Sequence, residues 1–156
     1  MKKYLFLCMA AIAALLAFTS CSDDDEIDPD DINPGNVAVG KAKFTETANQ
    51  MVLTYTVSVL TEKVDMKHTA TFKDDLCNSF ITEATYSKEQ YARQSYEDAI
   101  ANKTDDDQTV YSYKGKVFTE DDTYYYKGQT KDQVRQYLKY LEEAYKYPPG
   151  RQEKRA

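Results

Sequence analysis

Between Met51 and Leu60 the chain alternates without a break. Met51, Leu53, Tyr55, Val57 and Val59 take one side; Val52, Thr54, Thr56, Ser58 and Leu60 take the other. A period of two over ten residues is that of a strand, because successive Cβ atoms point to opposite faces. The first side is apolar and the second mostly hydroxyl-bearing, so one face is packed and the other wet. Antiparallel sheets allow that, whereas parallel sheets covered by helices on both faces do not. A chain holding this segment must fold around a one-sided sheet.

The neighbouring segments extend it. Val37, Val39 and Phe44 suggest a first strand broken or bent at Gly40, with Ala48-Asn49-Gln50 turning the chain into Met51. Lys67 to Lys73 reads as a third strand with His68, Ala70 and Phe72 on one face. Asp74-Asp75 ends it, and Phe80 to Tyr86 resumes the alternation. The period then changes. Ser87-Lys88-Glu89-Gln90 has the form of a capping box with Ser87 as N-cap, and Tyr91, Ala92, Tyr96, Ala99 and Ile100 follow on one helical stripe. That helix is expected to end near Asn102, before the acidic run Asp105-Asp106-Asp107.

A similar order follows. Thr109 to Tyr113, Lys116 to Thr119 and Thr123 to Lys127 read as short strands, turned at Gly115 and at Glu120-Asp121-Asp122. Thr130-Lys131-Asp132-Gln133 is a second capping box, 43 residues after the first. Val134, Leu138, Leu141 and Tyr145 then form an apolar stripe that stops before Pro148-Pro149-Gly150. The expected class is α+β: one antiparallel sheet with two helices packed on one face, the halves loosely similar in their strand-then-helix order. The domain is expected over residues 37–147, with a frayed tail over 148–156.

What precedes residue 37 is of another kind. Lys2-Lys3 is followed by fifteen residues, Tyr4 to Phe18, without a charge, and then by Thr19-Ser20-Cys21-Ser22-Asp23-Asp24-Asp25-Glu26. The apolar run is too short to span a bilayer and has the length of a secretory h-region. This segment resembles bacterial lipoprotein signal peptides, with small residues before a cysteine; Phe18 departs from the more usual leucine. The resemblance implies that residues 1–20 are removed, and that Cys21 carries a diacylglyceryl thioether, usually with a third acyl chain on the new amino terminus. The acidic run after the cysteine is similar to that of Bacteroidota lipoproteins, in which it implies export to the outer face of the outer membrane. On that resemblance Ser22, Asp23, Asp24, Asp25 and Glu26 are an export signal. The physical alternative is a solvated spacer. Residues 21–36, with Pro29, Pro34 and Gly35, read as a flexible acidic tether.

Charge and cysteine use fit that organisation. Lys2 and Lys3 leave with the signal, so 18 basic side chains remain beside 26 acidic ones, and seven of the acids lie in the tether. The domain itself is nearly neutral, and no basic patch argues for nucleic acid. Cys8 lies in the signal and Cys21 is consumed by lipid. Cys77 then stands alone, and folding must rest on the core rather than on disulfides.

Candidate chemistry is sparse. His68 and Cys77 are the only residues that could form a thiol–imidazole pair, and no catalytic role is assigned to either: the cysteine is read as a small core hydrophobe and the histidine as packed or at the rim. The acidic pairs and triplet lack the spacing of a calcium loop, so no metal site and no cofactor are assigned. With 14 tyrosines and no tryptophan, the sequence points instead to aromatic surface. Tyr111 and Tyr113 share one strand face, as do Tyr124 and Tyr126; paired strands would gather the four into a stacking surface for sugar rings or a partner protein. The expectation is a non-enzymatic binding or accessory module, held in outer-membrane lipid through Cys21, facing a glycan or an envelope protein. The alternatives are a periplasm-facing structural or inhibitor-like protein that grips another protein, and, as the third, a small hydrolase.

Overall fold

A computed structural model describes residues 37–39, 42–59 and 62–146. The signal segment, Cys21, the tether, Gly40, Leu60 and the tail lie outside the described residues. In chain order the elements are β1 (Val37–Val39), β2 (Lys43–Glu46), β3 (Gln50–Val59), β4 (Glu62–Lys73) and β5 (Leu76–Thr85). Helix α1 (Glu89–Ala101), β6 (Val110–Lys114), β7 (Val117–Asp121), the single-turn α2 (Thr123–Tyr126) and α3 (Lys131–Lys146) follow. The sheet runs β1-β3-β4-β5-β7-β6, with β2 also on β3, and every pairing is antiparallel. It is six positions wide, because β1 and β2 take successive stretches of one edge of β3.

The alternation of β3 decides which face is covered. Met51, Leu53, Tyr55 and Val57 are buried, and the register sets Ala70, His68, Met66 and Val64 of β4 directly opposite them. The three described helices all cover this face. Val134, Leu138 and Leu141 of α3 are buried against it, and Tyr145 stacks on Tyr55 with ring centroids 4.2 Å apart. The other face carries the hydroxyls of Thr54, Thr56 and Ser58, half-buried and uncovered by any described helix. This is the expected α+β sheet with its helices on one side.

Strand β4 begins at Glu62 rather than Lys67, and other details also depart from the reading of the sequence. Strand β5 begins at Leu76 rather than Phe80, and the register slips between Thr71 and Phe72, where Asn78 is the extra residue of a bulge. The slip returns Cys77 to the buried face although its parity differs from that of Phe80 and Thr82. Residues 123–127, read as a strand, instead begin as the turn of helix α2, and Glu120 and Asp121 belong to β7 rather than to a turn. The cause is local. The Thr123 N–H donates to the Asp121 carboxylate at 2.9 Å, the Phe80 N–H donates to the Thr123 hydroxyl at 3.1 Å, and the Tyr126 ring stacks on Phe80 at 3.9 Å. These contacts outweigh the strand preference of three consecutive tyrosines.

Candidate functional site

The polar chemistry of the covered face lies on one line across the strands. His68 of β4 stands opposite Thr82 of β5, Thr82 opposite Glu120 of β7, and Glu120 opposite Tyr111 of β6. All four are buried. Such a line follows from an antiparallel register, which brings one residue from each strand to the same level.

At one end the imidazole of His68 is held between two hydroxyls. Tyr55 Oη lies 3.0 Å from Nε2 and Thr82 Oγ1 lies 2.9 Å from Nδ1. Burial pushes the His68 pKa down to about 4, so the ring is neutral near pH 7. With both nitrogens engaged, it is placed to order the core rather than to exchange protons with solvent. Cys77 is not its partner. It pairs with Phe72, four strand positions from His68, a separation of about 13 Å. Burial raises the thiol pKa, and the Cys77 thiol donates to the Ser79 carbonyl at 3.3 Å.

The other end is acidic. Glu120 is 8% exposed, and none of the described side chains hydrogen-bonds to its carboxyl group. Burial first, then the nearby Asp122 and Asp107 carboxylates, push its pKa up to about 8. Near neutrality it is therefore largely protonated and can donate a hydrogen bond. Asp107 behaves oppositely. Burial works against its ionisation, but hydrogen bonds from the Thr109 N–H (2.9 Å), Tyr111 Oη (2.8 Å) and Tyr125 Oη (3.3 Å) hold its carboxyl below the usual range. Burial raises Asp122 although Thr109 Oγ1 donates to it at 2.7 Å. Lys103 donates to the Thr109 carbonyl at 2.5 Å and lies over the Tyr111 ring. Charges and hydroxyls thus tie the loop entering β6 to β7 and α2. Among the described residues no three histidine, cysteine or acidic side chains gather as metal ligands would.

The four tyrosines do not form one surface. Tyr111 and Tyr126 are buried, Tyr113 is partly exposed beside Tyr96, and Tyr124 is 69% exposed and meets Tyr125 edge-on. Tyr124 and Tyr126 part company because they lie on a helical turn, where residues two apart point in different directions. Cys21, Ser22, Asp23, Asp24, Asp25 and Glu26 lie outside the described residues. Glu120 escaped the sequence reading, although one signal was present: it continues the alternation of Phe118 past Thr119. Comparison with family models, curated proteins and solved structures found no match.

Proposed function

We propose that this protein is a lipid-anchored, non-enzymatic binding or accessory module displayed at the cell surface. The observation that carries the reading is Cys21, set behind an uncharged fifteen-residue run with Thr19-Ser20 before it and Ser22-Asp23-Asp24-Asp25-Glu26 after it. An anchor of two or three acyl chains holds far more firmly than one, since each buried methylene contributes about 0.8 kcal/mol. Among the described residues no helix is long and apolar enough to cross a membrane, so they offer no helical anchor to compete with the lipid. The arrangement of the histidine and the cysteine supports a binding role over thiol-dependent hydrolysis, because His68 and Cys77, the thiol–imidazole pair among the described residues, are apart and buried.

On this reading the ligand meets the hydroxyl-rich open face of the sheet or the exposed Tyr124, and is a glycan or an envelope protein rather than a nucleic acid. Metabolic labelling with an alkyne-bearing fatty acid tests the anchor. The wild-type chain should take up label and partition with membranes, while Cys21→Ala should lose the label and accumulate as a larger, uncleaved species. Equal labelling of both would overturn the reading.

A further inference from the structure

Strand β6 is an outer edge of the sheet, and the backbone groups it leaves unpaired fit a second copy of itself. The β6–β7 connection is the two-residue turn Gly115-Lys116, with Gly115 at φ +55° in the first position, where a type II′ turn places glycine. The pair closing such a turn, Lys114 and Val117, exchanges both hydrogen bonds, and the pattern then alternates. The N–H and C=O groups of Val110, Ser112 and Lys114 therefore face β7, and those of Tyr111 and Tyr113 face outward. No described residue hydrogen-bonds to those outward groups. Before Tyr111 the edge is closed, because the Thr109 N–H is taken by Asp107 and its carbonyl by Lys103. Proline is absent from β6, and its one charged residue, Lys114, stands at the end, so little in the strand itself blocks pairing.

We propose that two copies of this chain associate through β6 in antiparallel register about a two-fold axis at Ser112. That register pairs Tyr111 with the partner's Tyr113 and uses all four outward groups of each strand. A two-fold at Tyr111 would require the Thr109 groups already engaged, and one at Tyr113 would pair Tyr111 with a turn residue. Charge favours the same arrangement. Antiparallel pairing brings the acidic run Asp105–Asp107, which leads into β6, to the end where the partner carries Lys114 and Lys116. The interface is isologous, closes at two copies, and joins the two sheets into one. Val110, 62% exposed, and the half-exposed Tyr113 lose solvent on opposite faces of the joined sheet. This association does not depend on which side of the membrane the module faces.

Disulfide trapping of the full-length protein in intact cells tests the register, with copper–phenanthroline as oxidant and Cys77→Ala throughout. Ser112→Cys should give a disulfide-linked dimer, because residues across a two-fold of this type have Cα atoms about 4.5 Å apart. Val110→Cys and Lys114→Cys alone should give at least ten-fold less, since each lies about 14 Å along the strand from its own copy. Val110→Cys with Lys114→Cys should restore the dimer. Adding Lys114→Glu and Lys116→Glu to Ser112→Cys should lower its yield several-fold. The proposal is overturned if Ser112→Cys yields no dimer from normally accumulated protein, if the three single variants crosslink equally, or if Ser112→Cys joins only to a different protein.

Discussion

Glu120 and His68 are ionisable side chains in positions that disfavour their charged forms, and they make stability depend on pH in opposite senses. The Glu120 pKa is raised from 4.5 to about 8 on folding. Its contribution is fully present below the unfolded value and is lost as pH rises from about 4.5 through 8. The His68 pKa is lowered from 6.5 to about 4, so its contribution is present above 6.5 and lost as pH falls through 4. The combined contribution of these two groups is greatest between roughly pH 4.5 and 6.5, where their opposite slopes cancel. Thermal unfolding across pH should show Glu120→Gln flattening the alkaline limb, with a gain on the order of 4 kcal/mol over wild type at pH 8 and little at pH 4.5. A wild-type alkaline slope retained in that variant would contradict the assignment. The sequence concealed this residue because Glu-Asp-Asp carries the composition of a turn. Only the pairing of Glu120 with Thr82 and Tyr111 puts it inside.

At the scale of elements, periodicity was legible where each element answers to its own pattern. The strand β3 and the stripe of α3 follow the alternation and the i, i+4, i+7 spacing read from Met51 and Val134. The second capping box forms as written: the Gln133 N–H donates to Thr130 Oγ1 at 3.4 Å and Gln133 Oε1 accepts from the Thr130 N–H at 2.9 Å. The first does not. Ser87 donates instead to Glu62 of β4 at 2.5 Å, and the N-cap moves to Lys88, which supplies no capping oxygen. A tertiary partner captured the hydroxyl that the local pattern assigned to the helix, and no single-segment reading sees such a partner. Lys88→Asp should therefore stabilise the fold by about 0.5–1 kcal/mol in urea unfolding, a cap offset in part by the lost contact of Lys88 with the Tyr91 ring. Destabilisation would contradict the absence of a cap. The bulge at Asn78 and the turn α2 were illegible for the same reason, since both are set by contacts between β5 and the chain after β7.

Among the described residues, three helices cover one sheet face and none covers the other, while the segment proposed to set where the protein acts lies before the domain. Class and sidedness were legible because the hydroxyl-bearing side of β3 can only be a wet face. The site was legible less far, because a surface of tyrosines depends on which rings the helices cover. The helical turn at Thr123 buries Tyr126 and exposes Tyr124. The central claim joins this domain to its anchor: a module held by Cys21 and carried outward by the acids behind it. Protease shaving of intact cells tests it most directly, comparing wild type with a variant in which Asp23, Asp24, Asp25 and Glu26 are all alanine. The account predicts that the wild-type domain is digested from the cell surface and the variant is protected. Protection of both chains, in cells whose known surface proteins are cleaved, would contradict it.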